Sequence, residues 1–303
     1  MHTTGWDVMT GPGVTALGLA ASRAIESGRP DRLIDDPFAL ALYEAADADL
    51  PMPVTWPPPG EPVSDTEGLY LHGSRYIGLR TRFYDDVVTS AASEGIRQVV
   101  ALGAGLDTRA YRLDLPPEMH MLEVDQGGVL SYKDHVLNRL GATPVCRRSA
   151  VAADLCDDWP AALIGAGLDT GHPAVWLAEG LLAYLDPDAR RALLASISDM
   201  AGPGSRLALE HIVGDPAAAG RLKAMAERSR LPMDRLIVGG EGDDPAQLLA
   251  AAGWQTETAS ADEVARRYGR DLSDPFAPPG ARPATEPPWL ETTFVTALLS
   301  VAP

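Results

Sequence analysis

From about residue 95 onward, short apolar runs alternate with amphipathic stretches, and this alternation constrains the fold more than any other feature. The runs are "RQVVAL", "HMLEVD", "PVCRRSAV", "AVWLAE" and "RLALEHIV". Near-continuous apolar strands separated by helical periodicity predict a doubly wound parallel sheet, since strands buried on both faces need a crossover helix between each pair. Two later runs, "GWQTETAS" and "TFVTALLSVA", predict a further antiparallel pair at the sheet's edge. The first ninety residues carry no strong strand. Val14, Leu17, Ala21, Ala24 and Ile25 share one helical face, and Asp36-Pro37 reads as the N-cap and first turn of the next helix. Residues 51–62, "PMPVTWPPPGEP", are half proline and predict a non-helical flap, after which a helix resumes at Ser74.

The chain then divides into a helical cap over residues 1–94, a core over 95–213 and 290–303, and a lid with an edge strand over 214–289. The lid is expected from "AAAGRLKAMAERS" and "PAQLLAAAG", both helical, in a connection too long for a simple crossover. With 303 residues and 46% hydrophobic content, one substantial core suffices for all of this. The formal net charge of −17 argues against a nucleic-acid partner, which would demand a basic track. No run approaches the about eighteen apolar residues of a membrane span, so a soluble cytoplasmic protein is expected. Cys146 and Cys156 read as reduced thiols, and the six histidines show no metal-ligand spacing.

In an open parallel sheet, ligands bind outside the carboxyl ends of the strands. The first strand runs into Gly103-Ala104-Gly105, a tight turn through which backbone N–H groups can approach a ligand. Thr108 stands where a dinucleotide fingerprint would place its third glycine, and Asp107 would repel a pyrophosphate. Asp107 suits an ammonium or sulfonium, or it simply caps the next helix. The second strand ends on Glu123-Val-Asp125, at the distance where an acid accepts hydrogen bonds from ribose hydroxyls, with Asp125 nearer the tip. Asp154 and Leu155 follow the third strand and fit an adenine amino group and ring. Glu179 ends the fourth, where an unpaired acid would be expensive without a ligand or a base. On the helix containing Tyr76, Ile77, Phe83, Tyr84, Val87 and Val88, Arg80 interrupts the apolar stripe and needs an anion, structural or from a ligand. Arg82, with Asp85 and Asp86 ahead of it, reads as a solvated salt-bridge partner. The ligand these features describe has a carboxylate, a cation, a ribose and an adenine, but no phosphate. S-adenosylmethionine fits, and NAD fits poorly.

The motifs "LGAGLDTRAYRL", "EVDQ", "AEGLLAYL", "RTRFYDD" and "ASRAIESGRPDRLIDDPFA" together resemble the leucine carboxyl methyltransferase family, in particular its bacterial branch, which includes carboxyl O-methyltransferases of polyketide pathways. The resemblance implies a Rossmann-like class I methyltransferase fold, an α/β sheet of seven mostly parallel strands with an antiparallel last strand. It also implies that Arg80 holds the methionine carboxylate above the Gly103–Gly105 turn. Asp125, with Gln126 beside it, would bind the ribose, Asp154 and Leu155 the adenine, and Glu179 would lie beside the methionine portion and the methyl acceptor.

The acceptor expected is a hydrophobic small molecule bearing a carboxylate, which needs no base, or a hydroxyl, for which His211 is the candidate base and Tyr184 an alternative polar group. Trp56, Leu231, Met233, Trp254 and Trp289 would line its pocket or pack lid against core. An NAD-dependent oxidoreductase and a catalytically silent binding protein stand as alternatives.

Overall fold

The computed structural model describes residues 8–9, 12–47, 50, 52–157, 159–212, 242–273 and 291–300. Three helices open the chain: α1 (Pro12–Ser27), α2 (Ala39–Glu44) and α3 (Asp65–Ser93). The long α3 begins nine residues before Ser74, because Ser64 caps it. The Ser64 hydroxyl accepts the Glu67 N–H while the Glu67 carboxylate accepts the Ser64 N–H, a reciprocal box that satisfies two otherwise orphaned donors. The Asp36-Pro37 pair does not start α2 at Pro37. Asp36 accepts the Phe38 N–H at 3.1 Å, but its other oxygen is bound to Arg23 and Thr108, and α2 begins at Ala39.

The core follows as β1 (Gln98–Leu102), α4 (Arg109–Arg112), β2 (His120–Asp125), α5 (Gly127–Arg139), β3 (Arg147–Ala152), α6 (Trp159–Gly165), β4 (Val175–Ala178), α7 (Pro187–Met200) and β5 (Arg206–Ile212). Then come α8 (Pro245–Ala251), β6 (Trp254–Ser260), α9 (Ala261–Arg267) and β7 (Thr292–Leu299). The seven strands form one sheet in the order β3-β2-β1-β4-β5-β7-β6. β1 to β5 are mutually parallel, and β7 inserts antiparallel between β5 and β6. Strand order therefore reverses beside β1, between β1 and β4, and the crevice lies there.

Side-chain alternation sorts the strands onto two faces. On one, Val99, Met121, Val175, Leu177 and Ala208 pack with Tyr76, Phe83, Tyr84 and Val88 of α3 and Val264 of α9. On the other, Val100, Leu122, Trp176, Ala178, Leu207 and Leu209 pack with α6, α7 and α8. A third cluster joins α1 and α2 to α5 through Leu17, Ala20, Leu42, Val129 and Val136. The expected helix at the amino end of the lid and most of the loop at 271–289 lie outside the described residues, as do Leu231, Met233 and Trp289. The helix expected from "PAQLLAAAG" is α8. Among the described residues no helix is long and apolar enough to cross a membrane, and no group of metal-ligating side chains forms. Cys146 and Cys156 are free thiols.

Candidate active site

β1 leads into a turn in which Gly103 and Gly105 both have positive φ, 62° and 51°, a conformation costly for any residue with a Cβ. The carboxylate of Asp125, at the tip of β2, reaches this turn. It accepts the Gly105 N–H at 2.6 Å and the Gln126 N–H at 2.7 Å. Burial nonetheless pushes the Asp125 carboxyl above its ordinary value, against the pull of those two N–H donors. A carboxylate has about four lone-pair sites, so Asp125 has acceptor capacity left beside the turn. Glu123, by contrast, is fully buried and enclosed by Lys133 at 2.7 Å and Arg148 at 2.6 Å. Of the two acids, only Asp125 is brought to the turn.

Arg80 of α3 does not wait for its anion. Its Nε pairs with Glu179 at 3.0 Å and its Nη1 with Glu210 of β5 at 3.1 Å. Gly180 makes this approach possible, since a Cβ there would lie 3.1 Å from Arg80 Nη1. Glu179 also accepts from Arg109 Nη1 at 2.8 Å, and the same nitrogen reaches Asp107 at 2.6 Å. Arg109 Nε pairs with Asp85 at 2.7 Å, and Arg112 grips both Asp85 oxygens at 2.6 and 2.7 Å. Arg112 Nε then donates to Thr108, whose hydroxyl donates to Asp36, which pairs with Arg23 of α1. One chain of ions thus ties α1 and α3 to the glycine loop.

These contacts revise several expectations. Asp107 is not left open for a cationic ligand, because its two oxygens are taken by the Arg109 N–H and guanidinium. Burial works against its charge, but Arg109 and Lys133 outweigh it and hold the carboxyl well below the carboxylate range. Asp85 turns inward to Arg109 and Arg112, and Arg82 pairs with Asp86 at 2.8 Å on the surface. His211 follows Glu210 on β5 and so projects to the opposite face, toward Asp244 and Arg190. Burial lowers its pKa there, and its ring does not join the Arg80 cluster. The Tyr184 hydroxyl donates to Thr15 of α1 at 3.1 Å, although the phenol lies within electrostatic reach of Arg80 and Glu210. Trp56 of the proline-rich segment stacks on Arg29, 3.9 Å from ring centroid to guanidinium. Trp254 is buried in the second apolar cluster and donates to Ser198, as core packing. Ala104 donates its N–H to Val124 of β2, which holds the turn against the sheet. Asp154 is exposed after β3 and accepts the Cys156 N–H, while Leu155 is half-buried against the second cluster.

Glu210, Arg109 and Asp85 were not singled out from sequence. Glu210 in "LALEHIV" is, like Glu179, an acid embedded in an apolar strand, and that pattern is the signal that marks it. Of the five acids in the ion chain, Glu179 has the most exposed side chain, 17% against 7% for Asp85, 8% for Asp107, 7% for Glu210 and 0% for Asp36. The network opens to solvent at Glu179.

A doubly wound sheet with its seventh strand inserted antiparallel, and an acid-and-glycine site at the strand ends, defines a Rossmann-like methyltransferase. The model of the family described as leucine carboxyl methyltransferase matches residues 16–198, and the chain belongs to that family. A relative from Saccharopolyspora erythraea, named "putative S-adenosyl-L-methionine-dependent methyltransferase", is 40% identical over 271 residues, covering 89% of this chain and 92% of its own. One from Mycolicibacterium smegmatis with a matching name is 41% identical over 284 residues, covering 90% and 93%. The solved structure of a "putative methyltransferase" from Thermobifida fusca shares the fold, with TM-score 0.51 and 19% identity over 93% of this chain and 94% of that one.

Proposed function

We propose that this S-adenosylmethionine-dependent methyltransferase acts on a carboxylate oxygen of a small-molecule acceptor and releases a methyl ester. The cofactor follows from the family, and the residues fit it. The observation that carries the reading is the adjacency of Arg80 and Glu179, a cation and an anion side by side where the ion network opens. Such a pair matches the carboxylate and ammonium of an amino acid, while Asp125 keeps acceptor capacity for ribose hydroxyls at the glycine turn. Gly103, Ala104 and Gly105 would lie beneath the ligand, Gln126 beside the ribose, and Asp154 and Leu155 at the adenine end. When bound, the cofactor supplies a sulfonium methyl group that is electrophilic without further activation.

The protein's own task is then orientation and exclusion of water. Arg109 and Arg80 outweigh the burial of Glu179 and hold it ionised, below its ordinary value, so it serves as a fixed negative charge. The placement of His211 on the opposite face favours an acceptor that arrives already ionised, as a carboxylate does at neutral pH. The test is incubation of the full chain with methyl-labelled S-adenosylmethionine and a small-molecule cell extract, followed by mass spectrometry. A labelled product hydrolysed by mild alkali is expected. Label stable to alkali, as in an ether or amine, would refute the carboxylate acceptor.

A further inference from the structure

Around Arg80 the charges do not balance. Among the described residues the groups joined to it by direct ion pairs are three guanidiniums, Arg80, Arg109 and Arg112, and four acids, Glu179, Glu210, Asp107 and Asp85; Arg23 and Asp36, linked through the Thr108 hydroxyl, balance each other. Asp85 and Asp107 are bound to Arg109 and Arg112, and Glu179 shares Arg109 with them. Glu210 is the surplus acid. It is buried, its ionic partner is Arg80, and Glu179 draws on the same guanidinium. Its remaining support is neutral: the Tyr76 hydroxyl at 3.3 Å and the Gly180 N–H. The groups facing it are Arg80, Tyr76 and Tyr84 from α3, Glu179 from the end of β4, and Tyr184 from the turn after it. Among the described residues facing it, none but Arg80 is a cation.

We infer that Glu210 is the proton-linked counter-ion of Arg80: it positions the guanidinium in the free protein and takes up a proton from solvent when a ligand carboxylate arrives. This rests on the assignment of Arg80 to the cofactor carboxylate. The ligand ammonium goes to Glu179, so the carboxylate that reaches Arg80 competes with Glu210 for one guanidinium, and the acid least well held is the one to neutralise. Burial first, with Glu179 adding to it against the pull of Arg80, raises the Glu210 carboxyl to about 7 in the ligand-free protein. Glu210 is therefore largely ionised at pH 8 and largely protonated at pH 6. Ligand binding raises its proton affinity further, so uptake belongs to the alkaline side. Glu210 touches no reacting atom in this account and acts through Arg80.

The experiment is calorimetric titration of S-adenosylhomocysteine into the full chain at pH 6 and pH 8, each in two buffers of different ionisation heat, which counts protons exchanged. The wild-type protein is expected to take up close to one more proton at pH 8 than Glu210→Gln does, and the same number at pH 6. Wild-type affinity should weaken by up to about fivefold between pH 7 and 8 relative to the variant. Tyr76→Phe, which removes a hydrogen bond to Glu210, should move the onset of uptake to higher pH and serves if Glu210→Gln does not fold. Equal proton counts at pH 8 for wild type and Glu210→Gln, or an onset unmoved in Tyr76→Phe, overturn the inference. Arg80→Ala separates the two claims. If it binds the ligand as wild type does, the assignment of Arg80 fails. If it binds weakly while the proton counts are equal, only the role of Glu210 fails.

Discussion

On the α3 face of β4 and β5, the strand ends present Glu179 and Glu210 to Arg80 and Arg109. On the opposite face the same two strands present Trp176, Ala178, Leu207 and Leu209 to α7 and α8. One-residue steps along a strand separate the two materials. The apolar face gains from burial in the ordinary way, at about 25 cal/mol per Å² of apolar surface removed from water. The ionic face carries several desolvated charges whose attraction only partly repays their removal from water. Apolar residues would stabilise the fold there at least as well, so the charges are explained by what they would hold. On the proposed reading, the charges that orient the methionine end of the cofactor belong to the α3 face, and the other face of these two strands is structural support.

Two substitutions probe that contrast, the stronger first. Asp85→Ala leaves Arg112 and one side of Arg109 without their buried carboxylate and should cost about 3–5 kcal/mol of stability, read by chemical denaturation. A loss below about 1 kcal/mol, the range of a surface pair, would mean that the ionic face is solvated and that the contrast is overdrawn. His211→Gln acts on the other face, and methyl transfer should keep its rate to within about twofold. A fall of about 100-fold or more, the range of a lost general base, would bring His211 into the chemistry and break the division between the faces.

Much of this arrangement was legible in the sequence, for reasons that differ by element. β2 was read with both its bounds because "HMLEVD" is an apolar run closed by an acid. The reversed strand order was less visible, since pairing between distant strands leaves no local mark. The start of α3 was written in Ser64 and Glu67, but the prolines before them drew the boundary later. At the glycine turn, Thr108 was recognised as departing from a dinucleotide loop. Its positive role, a buried hydroxyl bridging Arg112 to Asp36, depends on helices distant in sequence. Glu210 and His211 show the limit most plainly. Both end an apolar strand, and only the packing of α3 against one face and α7 against the other decides which of them meets the arginines. Asp107 followed the same rule in reverse, since the partner that occupies it, Arg109, lies two residues on.

The central claim is that the glycine turn and its facing acid form the cofactor pocket, and the most direct measurement of it is the affinity of S-adenosylmethionine for Asp125→Ala beside wild type by calorimetry. Asp125 lies outside the Arg80 ion chain, so its loss reports on binding without unbalancing those charges. Removing hydrogen bonds to a charged acceptor is expected to weaken binding by about ten- to a hundredfold. Affinity equal to that of the wild-type protein would contradict the assignment of this edge of the sheet to the cofactor.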